Sequence, residues 1–455
     1  MEYTDFIESK KHSIHNFGID VNFISPSMFP YQEYVSTYLI NKGRAACFLD
    51  TGLGKTLIEL CVAKNYLHNT NKRVLILTPL AVAFQFLQES IKFEIDDIEY
   101  SRDGKFTKKI VIANYERLHY FNALDFECVI LDEASILKNF DGVIKSNIIS
   151  FLKKVKYRFL FTATPSPNDF IELGNSSEAL GYMGYMDMLT RFFTNSEEST
   201  HPQNIGVEWI LKGHAKESFF NWVSSWSISM RKPSDLGFDD SKHILPELIT
   251  SMHSIKNDNN MVINGQIQLF NQVAKTNKEI HSERKQTIIA RCEKSIELAL
   301  AHPISVYWCN LNQEGNLLAS MDKEAYQLTG SMSLDKKEEI LLAFSNGEIK
   351  KLITKPKISC FGLNWQHCGH TTYFPTFSYE QFYQSLRRFW RFGRIDKVFA
   401  DIVFSDGQKR VLDSLLAKAD KANEMFDKLN AALHKEHIID FKEFNQPIIL
   451  PTFLK

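Results

Sequence analysis

Residues 50–56 read Asp50-Thr51-Gly52-Leu53-Gly54-Lys55-Thr56. Glycines at this spacing let a backbone curl so that its N–H groups face a phosphate, and a helix beginning there adds favourable partial charge. Lys55 would reach the β- and γ-phosphates of a nucleotide, and Thr56 would ligate Mg²⁺. Thr51, Gly52, Leu53 and Gly54 complete the cradle. Leu49 stands where the commoner form of this loop has its first glycine. Taken alone, Gly-x-Gly-Lys-Thr is also compatible with an ordinary turn.

A second motif narrows the choice. Val129-Ile130-Leu131-Asp132-Glu133-Ala134 is an apolar run ending in two acids. Strand ends are where α/β folds put ligand-binding groups. Asp132 would hold Mg²⁺ through water, and Glu133 would orient an attacking water as general base. The plainer alternative, two solvated acids capping a strand, has to ignore the phosphate loop upstream.

Such groups need strands that end together. Short apolar runs recur at Ala45–Leu49, Val74–Thr78, Lys109–Asn114, Cys128–Leu131 and Tyr157–Thr162. A second set follows at Ile304–Cys309, Ala325–Thr329, Lys351–Thr354, Thr371–Phe374 and Val398–Phe404. Several lack alternation, as strands buried on both faces do. Amphipathic stretches such as Leu57–Leu67 and Asp335–Phe344 lie between them. The pattern predicts an α/β fold with two mostly parallel sheets flanked by helices. Residues 175–230 are rich in Met and aromatic residues and read as helical packing on the first lobe. Residues 231–246 carry Pro, Gly and Asp and read as the linker. Residues 255–300 are polar and read as helical. The expected division is an extension at 1–20, a first lobe at 21–235, a second lobe at 236–435 and a tail at 436–455.

A chain of 455 residues exceeds what one hydrophobic core supports, which agrees with two lobes. The composition, 44% hydrophobic and 24% charged, excludes a disordered or collagen-like chain. No apolar run approaches a membrane span: Val74–Phe84 is broken by Thr78 and Pro79. The start, MEYTDFIESKK, has no apolar core and is not expected to be a signal peptide. Seven widely spaced cysteines without a CxxC argue against a zinc site or disulfide framework and fit a reducing cytoplasm. The net charge of −1 argues against nucleic-acid binding through bulk charge. The distribution differs from the average: residues 345–397 hold nine Lys and Arg against three acids, a local +6.

The motifs, in this order, resemble a superfamily-2 helicase core. The likeness is greatest to Swi/Snf-type DNA translocases in compact phage and bacterial forms, and it covers roughly residues 25–410. Pro30-Tyr31-Gln32 is similar to a Q-type motif, in which Gln32 would read adenine. The loop at 50–56 is similar to motif I, and Thr78-Pro79-Leu80 to motif Ia. Asn114-Tyr115-Glu116 resembles the next segment, and Asp132–Asn139 (DEASILKN) the acidic motif. Thr162-Ala163-Thr164-Pro165 resembles motif III, in which Thr162 and Thr164 would couple nucleotide state to DNA. Phe361-Gly362-Leu363-Asn364-Trp365 resembles motif V, placing Gly362 at the nucleotide. Gln384–Arg394 resembles motif VI, with Arg388 and Arg391 on the arginine-finger positions. Three departures stand out: Ser135 for a histidine, Arg387 for a glycine and Trp390 for a histidine.

The resemblance implies two tandem RecA-like lobes, ATP and Mg²⁺ as ligands, and translocation on double-stranded DNA. Pro79, Lys355, Lys357 and Trp365 are then candidate DNA contacts, the lysines equally readable as ordinary surface residues and Trp365 more readily as core. No chromodomain, bromodomain or zinc element is evident, so a bare cytoplasmic motor, in a bacterial cell or phage-infected host, is expected. Alternatives are a strand-separating helicase, an RNA-directed motor, and a slow nucleotide-gated adaptor docking a protein through 175–230.

Overall fold

The computed structural model describes residues 17–80, 82–138, 142–195, 209–256, 262–263, 266–267, 277–359 and 363–438. The described part of the first lobe opens with α1 (Pro30–Lys42), β1 (Arg44–Leu49), α2 (Lys55–Thr70), β2 (Arg73–Thr78) and α3 (Ala83–Lys92). It continues with β3 (Ile98–Tyr100), β4 (Ile110–Asn114), β5 (Phe126–Asp132), α4 (Val143–Leu152) and β6 (Tyr157–Phe161). Then come α5 (Leu173–Leu180), α6 (Tyr185–Phe192), the short pair β7 (Phe193–Asn195) and β8 (Trp209–Leu211), α7 (Lys216–Ser224) and β9 (Ser227–Met230).

Seven of these strands form one sheet in the order β3-β4-β2-β5-β6-β1-β9, with every neighbouring pair parallel. Its central strands are buried along their length, which explains why their sequences do not alternate. Helices cover both faces. One core packs Leu75, Leu77, Val129 and Leu131 against α4–α7, and the other packs Ile58, Val62, Ile76 and Ile130 against α1–α3.

The second lobe starts at β10 (Leu248–Ile255), followed by a small hairpin, β11 (Val262–Ile263) and β12 (Gln266–Ile267). Next are α8 (Asn277–Gln286), α9 (Ile288–Ala299), β13 (Ser305–Trp308), α10 (Asn312–Met321), β14 (Ala325–Gln327) and α11 (Leu334–Ser345). The described part continues through β15 (Lys351–Thr354), α12 (Pro356–Ser359), β16 (His370–Tyr373), α13 (Tyr379–Leu386), β17 (Val398–Ser405) and α14 (Lys409–Ile438). Its six-stranded parallel sheet runs β10-β17-β16-β13-β15-β14.

The expected strands lie within a residue or two of those observed. Two readings need correction. Residues 175–230 are not wholly helical: Ser227–Met230 is a buried edge strand pairing with β1. Residues 255–300 are helical over Asn277–Gln286 and Ile288–Ala299 but also hold the β11–β12 hairpin, and β10, whose burial alternates along one edge of the sheet, is not among the expected strands. Residues 231–246 contain only one short turn of helix and do connect the two sheets.

The last helix, α14, touches both lobes. Val411, Leu412 and Leu415 pack with the second lobe, whereas Met425, Phe426, Leu429 and Ala432 enter the first lobe's core. The Ser229 hydroxyl donates to Asn430 Oδ1 (2.7 Å), Arg231 pairs with Asp427, and Lys216 pairs with Glu424 (3.0 Å). The Phe219, Trp222 and Trp226 cluster in 175–230 faces this core rather than solvent. These three aromatics of 175–230 are thus taken up within the chain, while Met186 and Ile210 of the same stretch are exposed. Phe426→Ala is expected to destabilise the first lobe by about 3 kcal/mol, read as an earlier urea-unfolding midpoint for Trp222 and Trp226 fluorescence.

Candidate active site

The groups singled out in sequence converge because β1, β2, β5 and β6 end on one side of the first sheet. The loop after β1 turns through Gly52 (φ 87°) and Gly54 (φ 78°), both in the left-handed region that disfavours a side chain. A Cβ on Gly52 would lie 2.9 Å from the Phe392 ring. One on Gly54 would overlap the Gln32 amide. Lys55 begins α2 and folds its amine back onto the carbonyls of Leu49 (3.0 Å) and Asp50 (3.3 Å). Thr51, Gly52, Gly54, Lys55 and Thr56 line a cleft between the lobes.

Gln32 and Leu53 sit behind this loop. The Gln32 amide donates to the Leu53 carbonyl (3.0 Å) and accepts from Phe29 N (2.9 Å). The Tyr31 hydroxyl also reaches the Leu53 carbonyl, at 3.2 Å, and lies 2.9 Å from His243 Nε2. Phe29, His243 and Phe392 pack edge to face around it. Sequence reasoning missed His243 because it lies in the linker, and Phe392 because no motif role marked it. Among the described residues Gln32 does not line the cleft.

At the end of β5, Asp132 accepts from the Thr78 hydroxyl (2.8 Å). Burial, then the neighbouring Glu133, push its carboxyl up to about 7. Glu133 holds the left-handed conformation (φ 56°), a strained geometry for a side chain of its type. Its Oε1 accepts from Thr162 (2.6 Å) and Ser135 (3.1 Å), and its Oε2 faces Gln384 of the second lobe (3.4 Å). Thr164 N donates to the Thr162 hydroxyl (3.0 Å), so both motif III threonines belong to the Glu133 network. One turn into α2, Glu59 is wholly buried, and burial, then Asp132, hold its carboxyl well above the usual range.

The opposite wall comes from the second lobe. Arg388, Arg391, Arg387 and Gln384 all line the cleft. Arg388 and Arg391 both donate to the Leu363 carbonyl, Arg391 at 3.2 Å. Burial, then repulsion from Arg387, pull the Arg391 guanidinium down to about 10. Gly362 lies outside the described residues.

Each departure from the resembling family makes a specific contact. Ser135 donates to Glu133. Trp390 donates its indole N–H to the Pro246 carbonyl (2.7 Å), tying this turn to the linker. Arg387 crosses the cleft to Asp50 (2.6 Å) and Thr51 Oγ1 (2.5 Å).

The site can accept a nucleotide triphosphate with a hard cation. Its donor set is oxygen: the Asp132 carboxylate, raised in pKa by burial and then by Glu133, and the Thr56 hydroxyl in the same cleft. Among the described residues no group of three or more His, Cys, Asp or Glu is placed to hold a metal ion.

The expected DNA contacts divide. Pro79 and Lys357 line a second groove between the lobes, together with Glu116, Lys138 and Lys337. Glu133 lines both this groove and the cleft. Lys355 is outside the groove, its amine on Asn312 Oδ1 (2.6 Å). Trp365 must be withdrawn as a DNA contact. It is fully buried, lies 6.0 Å from the parallel ring of Trp308, and donates to Ser345 Oγ (3.0 Å). Among the described residues no helix is long and apolar enough to cross a membrane.

Residues 29–172 match the family model for DEAD/DEAH box helicases. The SWI/SNF-related matrix-associated actin-dependent regulator of chromatin subfamily A-like protein 1 of Xenopus tropicalis is 27% identical over 161 residues, 33% of this chain and 17% of that protein. Its counterpart in Xenopus laevis is 25% identical over 158 residues, 32% and 16%. The matched part thus spans about one sixth of these curated relatives. The Sulfolobus solfataricus SWI2/SNF2 ATPase core in complex with dsDNA is 18% identical, with a TM-score of 0.43, over 93% of this chain and 97% of that one.

The geometry predicts that Gly54→Ala weakens binding of a fluorescent ATP analogue about tenfold or more. A left-handed alanine costs about 1–2 kcal/mol before any overlap with Gln32, and tenfold is about 1.4 kcal/mol. Titration of the analogue against wild type and variant checks it.

Proposed function

We propose that this chain, a superfamily-2 helicase core with SWI/SNF-related relatives, is a DNA-dependent ATPase that moves along double-stranded DNA. One observation carries the reading. The phosphate loop and the Asp132–Glu133 pair form one wall of a cleft, and Arg388 and Arg391 form the other.

Each wall supplies what the other lacks. Backbone N–H groups around Gly52 and Gly54, with Lys55, are suited to hold the β- and γ-phosphates. Thr56 and Asp132 would hold Mg²⁺, whose charge neutralises the phosphate oxygens. Glu133 carries the base role: Thr162, Ser135 and Gln384 fix its carboxylate at the mouth of the cleft. Arg388 and Arg391 stabilise charge developing on the transferred phosphoryl group. Both donate to the Leu363 carbonyl at the cleft wall, which aims their planar forks at the same place. Because they come from the second lobe, turnover depends on closure.

Coupling to DNA runs through Glu133, which lies where the cleft meets the groove lined by Pro79, Glu116, Lys138, Lys337 and Lys357. Lys337 and Lys357 of the second lobe suit phosphate positions on a backbone, contacts that grip without reading sequence, while Lys138 of the first lobe is held by Glu380 in the same groove. A change in lobe separation moves these two lysines relative to the first lobe, which is how hydrolysis would shift the grip. The resemblance to Swi/Snf-type motors favours duplex movement over strand separation, and a cytoplasmic motor remains the expectation.

Lys55→Ala and Glu133→Gln are each expected to reduce ATP turnover by at least a hundredfold while leaving the unfolding profile close to wild type. Arg388→Ala and Arg391→Ala should lower kcat by a similar order with a smaller effect on KM. Turnover is then measured with duplex DNA, single-stranded DNA and RNA, alongside triplex displacement and duplex unwinding. Stimulation by duplex with triplex displacement supports the reading. Unwinding, or stimulation by RNA alone, replaces it with the corresponding alternative.

A further inference from the structure

One face of α13 and the turn after it lies against the first lobe. Glu380 pairs with Lys138, the Tyr383 hydroxyl donates to Asp50, Gln384 faces Glu133, and Arg387 reaches Asp50 and Thr51. These positions recur at three- and four-residue intervals, so they form one stripe of the helix. Ser378 caps its N-terminus by accepting from Gln381 N (3.3 Å), which fixes the rotation of that stripe.

Arg387 is the most committed member. Its Nη2 donates to Asp50 Oδ2 (2.6 Å) and the Thr51 carbonyl (3.1 Å), its Nε to Thr51 Oγ1 (2.5 Å), and its Nη1 to the Trp390 carbonyl (3.3 Å). The Trp390 ring lies 4.9 Å below the guanidinium. Its side chain is 1% exposed and that of Asp50 13%. Asp50 is equally engaged: Oδ1 accepts from Thr51 N (2.6 Å) and from Tyr383. All three nitrogens of Arg387 are therefore in use on protein atoms, Nη2 and Nε across the lobe boundary and Nη1 within its own lobe. Arg388 and Arg391 instead share one carbonyl of their own lobe.

We propose that Arg387 is a positioning residue, not a phosphate ligand: with Asp50 and Tyr383 it latches the two lobes together across the cleft. Such a latch favours the arrangement in which a nucleotide entering the cleft meets both walls in place. The apparent affinity of a ligand for a closed-only site falls in proportion to the closed fraction. The latch thus sets the ATP concentration at which the motor runs, while Arg388 and Arg391 serve the chemistry. That consequence rests on the ATPase reading; the latch itself does not.

The test uses the full chain carrying a fluorophore pair on Leu124→Cys and Tyr326→Cys, exposed positions on the two lobes. The native cysteines among the described residues are all buried. Energy transfer without nucleotide reports the closed fraction, whether or not the protein hydrolyses ATP. Arg387→Gly and Asp50→Asn should each lower it several-fold, and the double variant should lose little more than either alone. Arg387→Lys, which keeps the charge but not the fork, should recover part of the closed fraction. In turnover, KM for ATP should rise by the factor by which the closed fraction falls, with kcat within about threefold. An unchanged closed fraction in Arg387→Gly, or fully additive losses in the double variant, overturns the latch. A hundredfold loss of kcat with normal closure also overturns it, and makes Arg387 a third finger. Should Arg387→Gly not fold, Arg387→Gln gives the same readings.

Discussion

Keeping acids away from water at the end of β5 is the constraint on which the site is built. Asp132 and Glu133 are buried beside each other, with the unpaired Glu59 behind them. Burial alone would drive such carboxyls to their neutral forms. The first lobe answers with hydroxyl donors, Thr78 for Asp132 and Thr162 and Ser135 for Glu133. It contributes Lys55 as a cation and nothing to match the charge of a triphosphate. Further positive charge in the cleft comes on another body: the second lobe brings Arg388 and Arg391, beside Arg387, whose charge is matched by Asp50. The division into two lobes is in this sense electrostatic: one wall manages surplus acid, the other surplus base.

Much of this was legible in the sequence, and for definite reasons. The central strands are long apolar runs whose burial on both faces leaves no competing pattern. The phosphate loop and the acidic strand end declare themselves because both chemistry and backbone restrict the residue types. Edge elements were harder to read. Ser227–Met230 resembles the amphipathic stretch before it, and Leu248–Ile255 is a polar strand that only its pairing with Val398–Ser405 identifies. Trp365 is read more readily as core, yet an aromatic beside a motif looks the same in sequence whether it faces solvent or Trp308, so it also stands among the DNA candidates. Arg387 registered only as a departure, since its partner lies 337 residues away.

The charge balance shows the same limit. A net charge of −1 describes the whole chain and no surface on it. The basic stretch at 345–397 turns out to be split. Arg387, Arg388 and Arg391 face the cleft, Lys357 faces the groove, and Lys351 pairs with Asp322 (3.0 Å). What reaches the groove is a short track, completed by Lys138 and Lys337 from elsewhere.

The last helix has a mechanical consequence. The lobes are joined twice, once by the linker at 231–246 and once by α14, which leaves the second lobe and embeds Phe426 and Leu429 in the first. A body tethered at one point can swivel in any direction. A body tethered at two turns most easily about the line through both, like a door on two hinges. Such a joint converts opening into a single repeatable arc rather than a wandering one, and sideways slippage between the walls of the cleft would have to bend a helix of 30 residues.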